Sequence, residues 1–230
     1  MKRMVGWSVG ALMTIGSGLA LADDLVVVEL YTSQGCSSCP PADALVADLS
    51  AQAGVLVLAL HVDYWDYIGW KDNFANPAFT QRQKAYAHVA GARTIYTPQM
   101  VVAGKDHLVG THEAELSSLI EMHAQVDKPV DLSLTRVGDR IVVQATGSAE
   151  GPLVVQLVRF VPEETVSIGR GENAGRTITY HNIVTDWQEI GVWDGQAPLS
   201  MESQLTGTDP AAVILQEPGP GRIVAAARLN

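Results

Sequence analysis

The chain holds only two cysteines, Cys36 and Cys39, and both fall where an apolar run gives way to a helix. The run is Val26-Val27-Val28-Glu29-Leu30-Tyr31, followed by Thr32-Ser33-Gln34-Gly35, Cys36-Ser37-Ser38-Cys39 and Pro40-Pro41. A strand runs into a turn, and the turn runs into a helix that either proline can start, because the first helical N–H has no intrahelical partner to lose. This order commits the segment to a strand–turn–helix unit with Cys36 near the helix N-terminus. Two thiols at this spacing can close a small disulfide ring and reopen it. With no other cysteine to compete, the pair is a redox couple, half of a metal site, or a staple. A staple closing so short a loop removes little unfolded-state entropy. The strand–helix setting points to redox chemistry.

The chain start bears on where that chemistry happens. Residues 1–22 have the build of a secretory signal peptide: Lys2 and Arg3, an apolar stretch, then Ala20-Leu21-Ala22 as a cleavage site. The apolar stretch is short for a membrane span. The expectation is a periplasmic or secreted protein, with no membrane association once the leader is removed. The formal net charge of −10 argues against a nucleic-acid or anionic-membrane partner, whose phosphates attract Lys and Arg.

The pattern of elements changes near residues 126–129. Before it, strands alternate with helices. Residues 25–31 and 55–62 read as buried strands, the second covered on both faces. Residues 39–53 read as a helix, with Ala42, Leu45, Val46 and Leu49 on one face. An aromatic- and Asp-rich stretch, residues 63–74, precedes a helix over 77–90. Then come Thr97-Pro98, a strand over 99–103, a turn at Gly104-Lys105-Asp106, a returning strand over 107–109, and a last helix capped by Thr111. After residue 129 nearly everything reads as strand and turn: 131–136, 140–146, 152–161, 177–184, 186–191, 211–215 and 222–229. Short strands with turns between them point to a sandwich.

The first half's order, with a Cys pair after the first strand and Thr97-Pro98 before the third, resembles the thioredoxin fold. The run from Glu29 to Pro40 is also similar to glutaredoxin-type active sites. That resemblance implies a cis bond at Pro98, packed against the Cys pair. The whole chain resembles DUF1223, a family of exported bacterial proteins of unknown function with a thioredoxin-like first domain and a β second domain. Residues 32–41, His61-Val62-Asp63-Tyr64-Trp65, Tyr96-Thr97-Pro98-Gln99 and Gly169-Arg170-Gly171-Glu172-Asn173 carry the likeness. One departure stands out: thioredoxins proper have Trp before the first Cys, where this chain has Gly35. The expected fold class is therefore an α/β thioredoxin-like domain (23–128) followed by an all-β, sandwich-like domain (129–230).

Within that frame Cys36, Cys39 and Pro98 are the expected catalytic residues. A thiolate is the nucleophile of disulfide exchange, and a helix N-terminus favours it. Cys36 would attack and Cys39 would resolve the mixed disulfide. Asp43 and Glu29 are the nearest acids, and a buried carboxylate beside the resolving Cys can serve as its general base. Glu29 lies among valines, where a charge without a partner is costly, unless the sheet edge is open. His61 is a strand-end histidine bonded to backbone, or the third ligand of a Cys36–Cys39–His61 copper or zinc site, with Met100 adding a thioether. Tyr64, Trp65, Tyr67, Trp70 and Phe74 form either a rim for peptide substrates or a satellite core. The loop 169–176 is a hairpin loop, or a cover that presents Arg170 or Arg176 to Cys36.

The function expected is an exported thiol–disulfide oxidoreductase, acting on protein or peptide thiols and disulfides without a cofactor or a metal. The alternatives are a copper-binding periplasmic chaperone and a non-catalytic envelope binding module.

Overall fold

The computed structural model describes residues 25–229, so the expected signal peptide at 1–22 lies outside the described residues. In the first half the chain runs β1 (Val26–Thr32), α1 (Pro40–Ser50), β2 (Val55–His61), a short 3-10 turn (Asp66–Ile68) and α2 (Pro77–Val89). Then come β3 (Gln99–Val102), β4 (Asp106–Val109) and α3 (Glu113–Ala124). The second half is β5 (Val130–Val137), β6 (Arg140–Gly147), β7 (Leu153–Ser167), β8 (Thr177–Trp193), β9 (Leu199–Gln204), β10 (Ala211–Gln216) and β11 (Ile223–Leu229). Among the described residues no helix is long and apolar enough to cross a membrane.

The strands do not divide into two sets at residue 129. Eight of them form one mixed sheet in the order β11-β10-β7-β8-β2-β1-β3-β4, and β5-β6-β9 form a second, smaller sheet. The expected fold class, a thioredoxin-like α/β domain followed by an all-β domain, is thereby corrected to a mostly β architecture whose main sheet is built from both halves. The reason lies at β2. Its residues are all buried, and without β8 it would be a sheet edge with unpaired N–H and C=O groups. β8 closes that edge in parallel, with Ile183 opposite Ala59. Asn182 adds a side-chain bond to the Val57 carbonyl, 2.9 Å, from a left-handed backbone (φ 46°) that asparagine tolerates. β7 and β8 are long enough to serve twice. One end pairs beside β2, and the other carries the sandwich with β10 and β11.

Alternation along β1 sets the two faces of the main sheet. Val26, Val28 and Leu30 point toward α1 and α3, in a core with Ala42, Val46, Leu116 and Ile120. Val27 and Tyr31 point toward α2, with Phe79 and Tyr86. That second core runs on into Val158, Phe160, Val184 and Ile214, so it too is shared between the halves. A third core lies between β5-β6-β9 and the far end of the main sheet, with Leu132, Leu134, Ile141 and Val143 facing Val155, Leu157, Val213 and Leu215. The hairpin turn at Gly104 (φ 69°) locks the halves again. A Cβ there would run into the Gly221 carbonyl, and Ile223 N–H donates to the Ala103 carbonyl at 2.9 Å.

Candidate functional site

The last residue of β1, Thr32, leads through Ser33, Gln34 and Gly35 into the cysteine loop. The backbone turns twice, with Cys36 N–H bonded to the Ser33 carbonyl (3.1 Å) and Cys39 N–H to the Cys36 carbonyl (3.2 Å). Cys36 and Cys39 form a disulfide, and Cys39 is the N-cap of α1. Pro40 and Pro41 open the helix. Their missing N–H groups leave Ala42 and Asp43 as the first helical donors, and both bond the Cys39 carbonyl. The amides expected to stabilise a Cys36 thiolate are thus largely absent. The Ser38 hydroxyl, 3.4 Å from Cys36 Sγ, stands closest to that role. Ser37 and Ser38 are exposed, whereas Cys36 is only 1% exposed and Cys39 is fully buried.

The loop is held from three sides. Gln34 N–H donates to Asp72 Oδ2 (2.8 Å), and Trp70 Nε1–H donates to Gln34 Oε1 (2.8 Å). Asn173 Nδ2 donates to the carbonyls of Gln34 (3.0 Å) and Cys36 (2.9 Å). Asn173 belongs to the loop between β7 and β8, so the second half does reach the cysteines. It does so through an amide. Arg170 and Arg176, the expected contacts, are exposed on the loop surface.

Thr97-Pro98 is a cis peptide. Its surroundings are set by Gly110, whose N–H donates to the Pro98 carbonyl at 2.9 Å. A Cβ on Gly110 would meet Pro98 at 3.0 Å and Ala42 of α1 at 3.1 Å, so this glycine lets the Pro98 segment close on the helix. Trp65 ties that segment to the other side of the cysteine loop. Its Nε1–H donates to Thr97 Oγ1 (2.7 Å), and its Cβ lies close over Gly35.

Below the disulfide is a buried polar cluster. Thr32 and His61 are register partners at the ends of β1 and β2, so both face α1. The Thr32 hydroxyl donates to Asp43 Oδ1 at 2.6 Å, one helical turn inside Cys39. His61 Nδ1–H donates to Asp72 Oδ2 at 2.7 Å, and both side chains are fully buried. Burial pushes the Asp43 carboxyl up to about 7; His61 and the Thr32 hydroxyl pull against that rise, and Asp72 adds to it. Burial acts on Asp72 as well, but His61 and the N–H groups of Gln34 and Phe74 outweigh it and hold this carboxyl below its ordinary value. Tyr180 of β8 packs edge-on against His61, ring centroids 5.0 Å apart, with its phenol raised by burial and by the charges of Asp43 and Asp72. Asp43 Oδ2, His61 Nε2 and Tyr180 Oη are buried without hydrogen-bond partners.

Cys39 and Asp43 therefore share the first turn of α1, and Thr32 links Asp43 to the strand end where His61 lies. Glu29 does not join them. It lies on the opposite face of β1, fully buried, and its carboxylate accepts from Arg82 Nε (2.7 Å) and Nη2 (2.8 Å), Tyr86 (2.6 Å) and Tyr31 (2.9 Å). Of the two alternatives for Glu29, an open sheet edge or a buried charge with a partner, the closed network leaves the second. His61 gives its Nδ1 to Asp72 and keeps a buried Nε2 without a partner. Among the described residues no three His, Cys, Asp or Glu side chains are grouped to hold a metal. The aromatic stretch divides: Phe74 packs inward on His61 and Tyr180, while Tyr67 is 81% exposed. Asp72, Tyr180, Asn173 and Ser38 were not singled out as site residues from sequence. The density of Asp over residues 63–72 was the only local hint, and it did not say which of them is buried.

A family profile described as "Protein of unknown function (DUF1223)" matches residues 27–216. A crystal structure of a protein from Agrobacterium tumefaciens is similar, at 33% identity and a TM-score of 0.78, over 89% of this chain and 93% of that one. HBP35 of Porphyromonas gingivalis shares the fold, with a TM-score of 0.60 at 15% identity, over 90% of this chain and 75% of that one. No curated protein matches the chain. The chain belongs to the DUF1223 family.

Proposed function

We propose that this member of the DUF1223 family is a thiol–disulfide oxidoreductase of the cell envelope, acting on protein or peptide substrates through Cys36 and Cys39. One observation carries the reading: the Cys36–Cys39 disulfide caps a helix whose next turn presents a buried carboxyl, Asp43, pushed up to about 7. A structural disulfide has no use for a proton acceptor poised near neutral pH, whereas a resolving thiol does.

In the reduced protein the Cys36 thiolate attacks one sulfur of a substrate disulfide, R–S–S–R′. The Cys36–S–S–R bond forms, and R′–S⁻ leaves and takes a proton from solvent. Cys39 passes its proton to Asp43 and attacks the Cys36 sulfur. The Cys36–Cys39 bond forms and R–S⁻ leaves. The substrate gains two electrons and the protein loses two. Run in reverse, the same steps donate the disulfide to a substrate dithiol. Ser38 supports the Cys36 thiolate, and Pro98 borders the site from the β3 side across Gly110. Under this proposal the leader at 1–22 is cleaved on export, which places the pair where disulfides persist.

The full-length protein should accelerate reduction of insulin by dithiothreitol. Cys36→Ser should abolish the acceleration, and Cys39→Ser should accumulate mixed disulfides at Cys36. Turnover no faster than dithiothreitol alone, and unchanged by Cys36→Ser, would reject the proposal.

A further inference from the structure

The exchange steps use Cys36, Cys39 and Asp43, and leave unexplained why an Asp–His pair is buried beside them. His61 cannot turn away from its place. Phe74 and Tyr180 flank its ring edge-on, with centroids 5.1 and 5.0 Å away, and Asp72 holds its Nδ1. Asp72 is held in turn by the N–H groups of Gln34 (2.8 Å) and Phe74 (2.9 Å). The Gln34 amide lies in the cysteine loop itself, so Asp72 touches both that loop and His61.

The groups that face Asp43 come from every element packed around it. Thr32 comes from β1, His61 from β2, Asp72 from the segment after the 3-10 turn and Tyr180 from β8, while Cys39, one turn earlier in its own helix, accepts the Asp43 N–H at its carbonyl. Two of them carry the electrostatics. The His61 ring favours the Asp43 anion, and the Asp72 carboxylate opposes it. Asp43 Oδ2 and His61 Nε2 are both buried and unpartnered, so no hydrogen bond shields one group from the other.

We propose that the His61–Asp72 pair is a positioning couple that sets the charge of Asp43, and through Asp43 the proton on Cys39, during thiol–disulfide exchange. The inference rests on the oxidoreductase reading above. With the pair intact, the imidazole offsets the Asp72 carboxylate at Asp43. Removing the imidazole leaves Asp72 ionised by its two amide donors and unpaired. Asp43 then keeps its proton to higher pH and is a poorer base at neutrality. Removing both groups removes both influences.

The test follows Cys39 directly. Reduced full-length protein is mixed with the aromatic disulfide dithiobis(nitrobenzoate). One chromophoric thiolate leaves as Cys36 forms the mixed disulfide, and a second leaves as Cys39 closes the Cys36–Cys39 bond. In the wild type the rate of the second release should turn near pH 7, where Asp43 titrates. His61→Gln should move that inflection up by about one pH unit, slowing the second release roughly tenfold on the acid side. The first release should be unchanged within about twofold. His61→Gln/Asp72→Asn should bring the inflection back. An inflection unmoved in His61→Gln, or displaced equally in the double variant, would overturn the proposal. Should His61→Gln not fold, carbon NMR of the Asp43 carboxyl in Asp72→Asn decides instead. Without the Asp72 carboxylate Asp43 should titrate at lower pH than in the wild type, and an unmoved titration would overturn the proposal. The two readings fail separately. A protein that does not reduce insulin but shows the paired shifts refutes the oxidoreductase function alone. One that reduces insulin without those shifts refutes the relay alone.

Discussion

Asp43 has no solvent to ionise it, and its Thr32 hydrogen bond satisfies only one of its two oxygens. Its folded-state value of about 7 lies above the ordinary 3.8, so folding favours the protonated carboxyl. The stability it contributes is complete below about pH 4, where folded and unfolded chains are both protonated. It is lost as pH rises through 7, because the unfolded chain ionises first. Asp43→Asn stays neutral throughout. The variant should gain on the wild type by about 2–4 kcal/mol between acid and mildly alkaline pH, read by urea denaturation at each pH. A difference that does not change with pH would show that Asp43 does not titrate in this range. At this scale the sequence was partly legible. Cys36, Cys39, Asp43 and His61 could be named because their types carry chemistry and three of them share a motif. The loop that holds Asn173 is legible as a candidate cover over Cys36, but the contact of Asn173 itself is not, because it lies 137 residues from Cys36 and bonds only its backbone. Nothing in an asparagine distinguishes that role from an ordinary loop position.

At the scale of elements, periodicity was a good guide. α1, α2, β1, β2 and the β3–β4 hairpin fall within a few residues of where apolar spacing and turn residues put them. β9 was missed, because Leu199–Gln204 alternates exposed and half-buried residues on the outside of the small sheet and carries no apolar run. β8 was read as two strands and is one, Thr177–Trp193. Its register shift against β7, between Arg159 and Phe160, lets it bend without ending. Glu29 belongs to this scale, since its charge is resolved by another element. Arg82 of α2 reaches it across 53 residues, stacks on Trp187 at 3.9 Å, and bonds Gln216 of β10 at 2.9 Å. Arg82→Met keeps the bulk but leaves the carboxylate buried without its cation. It should cost about 3–5 kcal/mol in chemical denaturation, because an unpaired buried charge keeps its full desolvation penalty. Adding Glu29→Gln should recover part of that loss. A neutral Arg82→Met would mean that the tyrosines alone satisfy Glu29.

Across the whole molecule, the division at residues 128–129 is crossed by the main sheet, by the core shared among α2, β7 and β10, and by Asn173 over the cysteine loop. Residues 25–128 alone would expose the β2 edge and the apolar face that Val158, Phe160, Val184 and Ile214 cover. That fragment should lack a cooperative unfolding transition, and its disulfide should be reduced by dithiothreitol faster than in the full chain. A fragment that unfolds cooperatively with the full chain's thiol reactivity would make the second half a separable module. The sequence by itself determined what local patterning controls: which segments are strand or helix, and that two thiols sit at a strand–helix turn. It also placed an acid one turn beyond them. Only the tertiary structure decided which strands share a sheet, which buried carboxyl is paired and which is left to hold a proton, and what lies over the cysteines. Period and turn chemistry act over a few residues and are written in adjacent positions. Sheet order, desolvation and charge pairing depend on which distant segment occupies the neighbouring space. For β2 that is β8, and for the cysteine loop it is Asn173.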